Sequence, residues 1–164
     1  MTKNTIEFQP IGIVHTPFKQ IHNMPIQPAS ASGIQGKLIL KPEFTQGLRD
    51  LEGVSHVYLI YYLHKVKNHQ LLVIPFMDTV PRGVFSTRAP KRPNPIGLSV
   101  VKLVSIENNI LYLENVDMLD GTPVLDIKPY VPTFDLQDEF RVGWLKETDD
   151  EVKSKRSDGR FKDK

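Results

Sequence analysis

Residues 98–113 read L-S-V-V-K-L-V-S-I-E-N-N-I-L-Y-L, and this stretch decides the fold. Residues 98–104 are strand-like. The apolar runs Leu103-Val104-Ser105-Ile106 and Ile110-Leu111-Tyr112-Leu113 then stand on either side of Asn108-Asn109. Two residues of that type between apolar runs signal a tight hairpin. Working outward, residues 8–16, 36–40, 54–64, 71–76 and 83–87 read as further strands upstream. Asp120-Gly121 is a second turn signal, and residues 123–127 form a last strand. Residues 43–51 make a weak helical turn ended by Gly53. Many short strands with closely spaced turn signals argue for a mainly β chain, a barrel or a sandwich, with one or two short helices over it.

The chain has 164 residues, which is most simply one domain. Thirteen prolines and ten glycines suit a loop-rich β protein better than a helical bundle. Residues 1–145 are expected to form the folded unit. Residues 146–164 carry seven basic and six acidic residues with little to bury, and are expected to form a flexible charged tail. Residues 17–36 are a long irregular segment, and long ordered loops are usually functional.

The absence of cysteine excludes a disulfide frame, a thiolate zinc site and a cysteine nucleophile. The five histidines show no metal-ligand spacing, so no metal is expected. The longest apolar run, residues 57–63, is far too short to span a bilayer. A polar start with no apolar signal region completes the expectation of a cytoplasmic protein without membrane contact.

Net charge is only +2, but its distribution is uneven. Arg82, Arg88, Lys91, Arg92 and Lys102 fall in residues 79–106 with no acid among them. Within that block, Arg88-Ala89-Pro90-Lys91-Arg92-Pro93-Asn94-Pro95-Ile96-Gly97 joins two strand-like runs. Its prolines fix φ and bias the preceding residues toward extended backbone, so the loop is stiff and loses little entropy when a ligand binds. Its cations suit an anionic partner, with Arg88 at a strand end able to pair a carboxylate at two points. Downstream, Asp126 and Lys128 are two apart on one strand, which makes either an ion-pairing face or a polar pocket wall. No G-x-G-x-x-G, phosphate loop or nucleophile elbow is present.

Ser86-Thr87-Arg88, Arg92-Pro93-Asn94-Pro95-Ile96-Gly97 and Asp120-Gly121-Thr122-Pro123-Val124-Leu125-Asp126-Ile127-Lys128-Pro129-Tyr130 together resemble the TrmO family. Pro25-Ile26-Gln27 and His64-Lys65 fall where that family has matching elements. The resemblance covers roughly residues 8–132. It implies a small single-sheet β-barrel, a homodimer, and S-adenosylmethionine as cofactor. It also implies N6-methylation of threonylcarbamoyladenosine beside the tRNA anticodon. By similarity the cofactor touches Pro25, Ile26, Gln27, His64, Lys65, Arg88, Leu98, Met118, Leu119, Asp120 and Gly121. Lys91, Arg92, Lys128 and Tyr130 are expected near the tRNA. The family's bacterial members carry a further domain after the barrel, whereas about thirty residues follow Pro132 here. No catalytic residue is singled out; Asp126, His64 and Tyr130 are candidates for taking the departing proton. The alternative is a barrel that binds S-adenosylmethionine or nucleic acid without methylating tRNA.

Overall fold

The computed structural model describes residues 4–145 and 149–162. In chain order the strands are β1 (Gly12–His15), β2 (Gln35–Leu40), β3 (His56–Tyr62), β4 (Leu72–Val73), β5 (Arg82–Gly83), β6 (Ile96–Glu107), β7 (Ile110–Glu114) and β8 (Thr122–Pro129). Six of them close a barrel in the order β1-β2-β7-β6-β3-β8, while β4 and β5 pair apart from it. Every barrel pairing is antiparallel, including β1 with β8. The expected mainly β barrel with short helices is thus the observed fold. Its α-helices among the described residues are α1 (Pro132–Asp135) and α2 (Asp149–Ser154).

Alternation places the core. Val14, Leu38, Leu40, Val57, Leu59, Val101, Leu111, Leu113 and Val124 point inward and are buried. Each contributes roughly 1.5–3 kcal/mol relative to an exposed side chain. The hairpin at Asn108-Asn109 joins β6 and β7 with Glu107 opposite Ile110. Asn108 takes the left-handed backbone (φ 54°) that asparagine tolerates. Asn109 closes the end of β2, donating from its amide to the Leu40 carbonyl and accepting the Leu40 N–H.

The expected strand at 83–87 is instead a 3₁₀ turn, Val84–Ser86. Its β-branched and aromatic residues mimic a strand, but Ser86 and Thr87 donate their hydroxyls back to the Gly83 and Val84 carbonyls. Such local bonds compete with a sheet ladder. Arg88 therefore follows a turn rather than ending a strand. The strand at 71–76 shrinks to Leu72–Val73, with Pro75 just beyond.

The charged segment 146–164 packs more than its composition suggests, although its first three and last two residues lie outside the described residues. Ser157 and Phe161 are buried, Phe161 beside Val73, Phe76, Val84 and Ala89 in a second small core. One aromatic in a run of charges gives no periodicity from which to foresee this. No helix among the described residues is long and apolar enough to cross a membrane.

Candidate cofactor and substrate site

At one mouth of the barrel, a polar chain crosses β3, β6 and the segment before β8, with Tyr61 and Ser99 buried and Asp117 partly buried. Tyr61 on β3 stands opposite Gly97 on β6. A β-carbon on Gly97 would lie 2.2 Å from the Tyr61 ring, so only glycine lets that ring lie across β6. The Tyr61 hydroxyl then reaches the Ser99 hydroxyl (3.0 Å), and Ser99 donates to the Asp117 carboxylate (2.7 Å). Burial pushes the Asp117 carboxyl up to about 6, against the opposing effects of the Ser99 hydrogen bond, its own amide and the Arg88 charge. Burial also raises the Tyr61 phenol, so it stays protonated and can act as a donor.

Two loops bring further polar groups to this mouth. Residues 16–34 connect β1 to β2 and carry Pro25-Ile26-Gln27, and the proline loop carries Arg88. The structure joins them: Arg88 donates to the Gln27 side-chain oxygen at 2.9 Å. The Arg88 charge also acts on Tyr58, Tyr61 and Asp117. A guanidinium and a carboxamide thus meet from two segments far apart in sequence, and the Arg88 charge reaches the Asp117 carboxyl of the polar chain. Tyr61, Ser99 and Asp117 escaped the sequence reading. The signal was an acid between the buried Val116 and Met118.

The other expected cofactor residues divide. Asp120 accepts the Thr16 N–H (3.0 Å) and the Lys19 ammonium (2.6 Å), with His15 at 3.3 Å. The Lys19 contact leads in holding its carboxyl below the usual range. The Met118 side chain is buried in the core, while its carbonyl accepts the Thr16 hydroxyl. Gly121, at φ +80°, donates its N–H to Val14. The turn 118–121 is therefore tied to the end of β1 through the Met118 carbonyl, the Asp120 carboxylate and the Gly121 N–H.

His64 and Lys65 follow β3, close to the proline loop, since the Leu63 N–H meets the Pro95 carbonyl. Burial, then the Lys65 charge, lowers the His64 imidazole. Leu98 is half-exposed on the outward face of β6, beside the equally outward Ile96 and Tyr62.

Among the expected substrate residues, Lys128 pairs with Asp126 at 2.8 Å, which realises the ion-pairing face. Tyr130 packs edge-on against Tyr58 (5.6 Å) and His56 (6.5 Å). Lys91 and Arg92 turn toward the protein. Lys91 is buried, and its carbonyl accepts the Gln70 N–H. Arg92 donates inward to the carbonyls of Val84 (3.0 Å), Thr87 (2.8 Å) and Ala89 (3.4 Å), gathering the loop around its guanidinium. Both read as tRNA-facing cations in sequence because sequence shows neither the burial of Lys91 nor the carbonyls that converge on Arg92. Arg92→Ala is accordingly expected to destabilise the protein by about 2 kcal/mol, the scale of charge-assisted bonds to buried carbonyls. Chemical denaturation checks this, and unchanged stability would return Arg92 to the surface role.

Residues 13–136 match the family described as the tRNA-methyltransferase O N-terminal domain. A protein of Pyrococcus abyssi named "Probable S-adenosyl-L-methionine-binding protein" is 52% identical over 154 residues, covering 94% of this chain and 84% of that protein. The human protein named tRNA (adenine(37)-N6)-methyltransferase is 37% identical over 136 residues, covering 77% of this chain and 30% of its own length. A crystal structure of TrmO from Pseudomonas aeruginosa superposes with a TM-score of 0.73 at 41% identity, covering 86% of this chain and 63% of that one. The chain belongs to the tRNA-methyltransferase O N-terminal domain family. It spans less than two thirds of the solved TrmO chain and under a third of the human relative.

Proposed function

We propose that this chain is an S-adenosylmethionine-dependent methyltransferase that acts on N6 of the adenosine at tRNA position 37, in its threonylcarbamoylated form. The observation that carries the reading is the Arg88–Gln27 contact, which joins two loops at the mouth of the barrel where Ser99 holds the Asp117 carboxylate. This donor set fits the cofactor: a guanidinium and a carboxamide for the methionyl carboxylate, and a carboxyl for its ammonium group. When bound, S-adenosylmethionine supplies a methyl group already activated on a sulfonium, so the protein's tasks are orientation and exclusion of water. The names of the Pyrococcus and human relatives support the cofactor and the acceptor position respectively.

In this reading Arg88 and Gln27 hold the cofactor, and the Tyr61–Ser99–Asp117 chain fixes the Asp117 carboxyl against it. The turn 118–121 contributes backbone groups. Tyr58 and Tyr130 offer ring faces and edges to the acceptor nucleoside, beside the Arg88 charge. The outward stripe of Tyr62, Ile96 and Leu98, each 40–49% exposed, is covered by a second copy, which makes the working form a homodimer.

Purified protein should methylate tRNA that carries threonylcarbamoyladenosine and leave tRNA lacking it unchanged, as read by nucleoside mass spectrometry. Equal methylation of both would overturn the acceptor, and no methylation of either would overturn the transferase. Arg88→Ala should weaken S-adenosylhomocysteine binding at least tenfold in calorimetry, the scale of a charge-assisted pair, while the exposed position leaves melting almost unchanged. Wild-type affinity in that variant would move the cofactor elsewhere.

A further inference from the structure

The charged C-terminal segment touches both loops that meet in the Gln27–Arg88 contact. On one side, Ser157 is laced into residues 21–24. Its N–H donates to the Met24 carbonyl (2.8 Å), its carbonyl accepts the Asn23 N–H (2.9 Å), and its hydroxyl accepts the Met24 N–H (2.8 Å) and donates to Ile21. Arg156 forms a β-bridge with Pro25, and Ser30 donates its hydroxyl to the Val152 carbonyl on α2. On the other side, Phe161 meets Phe76 edge-on at 5.0 Å and is buried with Val84 and Ala89, the residues that support the turn before Arg88. Arg160 binds the Pro75 carbonyl (2.6 Å) and lies 5.2 Å over the Phe76 ring.

From this we infer that residues 155–161 are a built-in clasp: Ser157 and Phe161 are positioning residues that hold the Pro25–Gln27 loop and the Arg88 loop in register for the cofactor. The inference rests on the cofactor reading above. Its physical basis is conformational entropy. A connection as long as residues 16–34 has many arrangements, and only those that place Gln27 against Arg88 can bind. When the competent fraction falls, apparent affinity falls in proportion, although no contact to the ligand is lost. The clasp contributes little to the barrel itself, whose core residues belong to a separate cluster. Its effect should therefore appear in binding before it appears in melting.

The test uses the full chain with Ser157→Ala, Ser157→Thr, Phe161→Ala and Phe161→Leu. Ser157→Ala removes the acceptor for the Met24 N–H, and Phe161→Ala empties the small core; Thr and Leu restore the hydroxyl and the apolar bulk. We expect both alanine variants to bind S-adenosylhomocysteine at least tenfold more weakly and the conservative variants to recover most of that loss. We also expect faster hydrogen exchange at residues 21–30 in both alanine variants without ligand, with barrel amides in β6 and β7 still protected. Wild-type affinity in both alanine variants would overturn the clasp, as would unchanged exchange at 21–30. If the wild-type protein itself fails to bind S-adenosylhomocysteine, the cofactor reading fails. The exchange data then decide alone whether Ser157 and Phe161 order the loop. Loss of protection throughout β6 and β7 would overturn the separation of clasp from barrel.

Discussion

Gly97→Ala should lower the unfolding free energy by about 3 kcal/mol and remove cofactor binding. The added methyl would sit 2.2–2.8 Å from three atoms of the Tyr61 ring, far inside contact distance. Tyr61 is buried in the barrel core, so the ring has little room to swing away. Overpacking of this kind costs about 1–3 kcal/mol and occasionally more. For a chain of this length 3 kcal/mol is a fall in melting temperature of about 10 °C. Any relief found by the ring pulls its hydroxyl off Ser99, which loosens the support of Asp117. Differential scanning fluorimetry and calorimetry read the two losses. Adding Tyr61→Leu should recover part of the stability, because it removes the atoms the methyl meets, but not the binding. Additive effects of the two substitutions would show that the ring and the glycine do not confront each other.

Asp117→Asn should make the protein more stable at neutral pH and a poorer ligand binder. The Asp117 carboxyl titrates near 6 in the folded chain, against an ordinary value of 3.8. A folded value above the unfolded one favours the protonated form. Its stabilising contribution is complete below pH 3.8 and is lost as pH rises through 6. Above that window the ionised, shielded group costs up to about 3 kcal/mol, from 1.36 kcal/mol per pKa unit. Asparagine keeps an acceptor for Ser99 and cannot ionise. The stability gap between variant and wild type should therefore be near zero at about pH 3 and widen to nearly its full value by about pH 7. A gap independent of pH would remove the titration of Asp117 as its cause. Binding should weaken at least tenfold at pH 7.5, because asparagine offers no charge to a cationic group. A more stable, less competent variant is the mark of a residue kept for function.

The hairpin at Asn108-Asn109 and the turn at Asp120-Gly121 were legible because turn residues sit between apolar runs. These local signals alone placed β6, β7 and β8 to within a few residues. Gly83 to Thr87 misled because valine and phenylalanine favour strands, and nothing local shows that two hydroxyls will cap a 3₁₀ turn instead. Lys91 and Arg92 read as surface cations for a tertiary reason, since the burial of Lys91 and the carbonyl partners of Arg92 exist only once the loop has closed. Gln27 and Arg88 were assigned to the cofactor only through resemblance, and their contact spans 61 positions that no periodicity could bridge. Asp117 was invisible for the opposite reason. A single acid between apolar residues has no pattern, and its chemistry comes from those neighbours and the serine that the barrel folds against it.

The pairing of β1 with β8 is the longest-range seam of the barrel. Gly12 must find Val124, about 110 positions away, before the barrel has its last seam. Pairings of such long range are slow to form. The same seam anchors the mouth: Thr16 beyond β1 grips Met118 and Asp120 ahead of β8. A chain with the seam open would leave Thr16 apart from Met118 and Asp120, and so the proposed cofactor mouth unformed. Ligand added during refolding would wait on that final zipping and then lock it, acting as a latch for the finished barrel and giving no help to its unfinished forms.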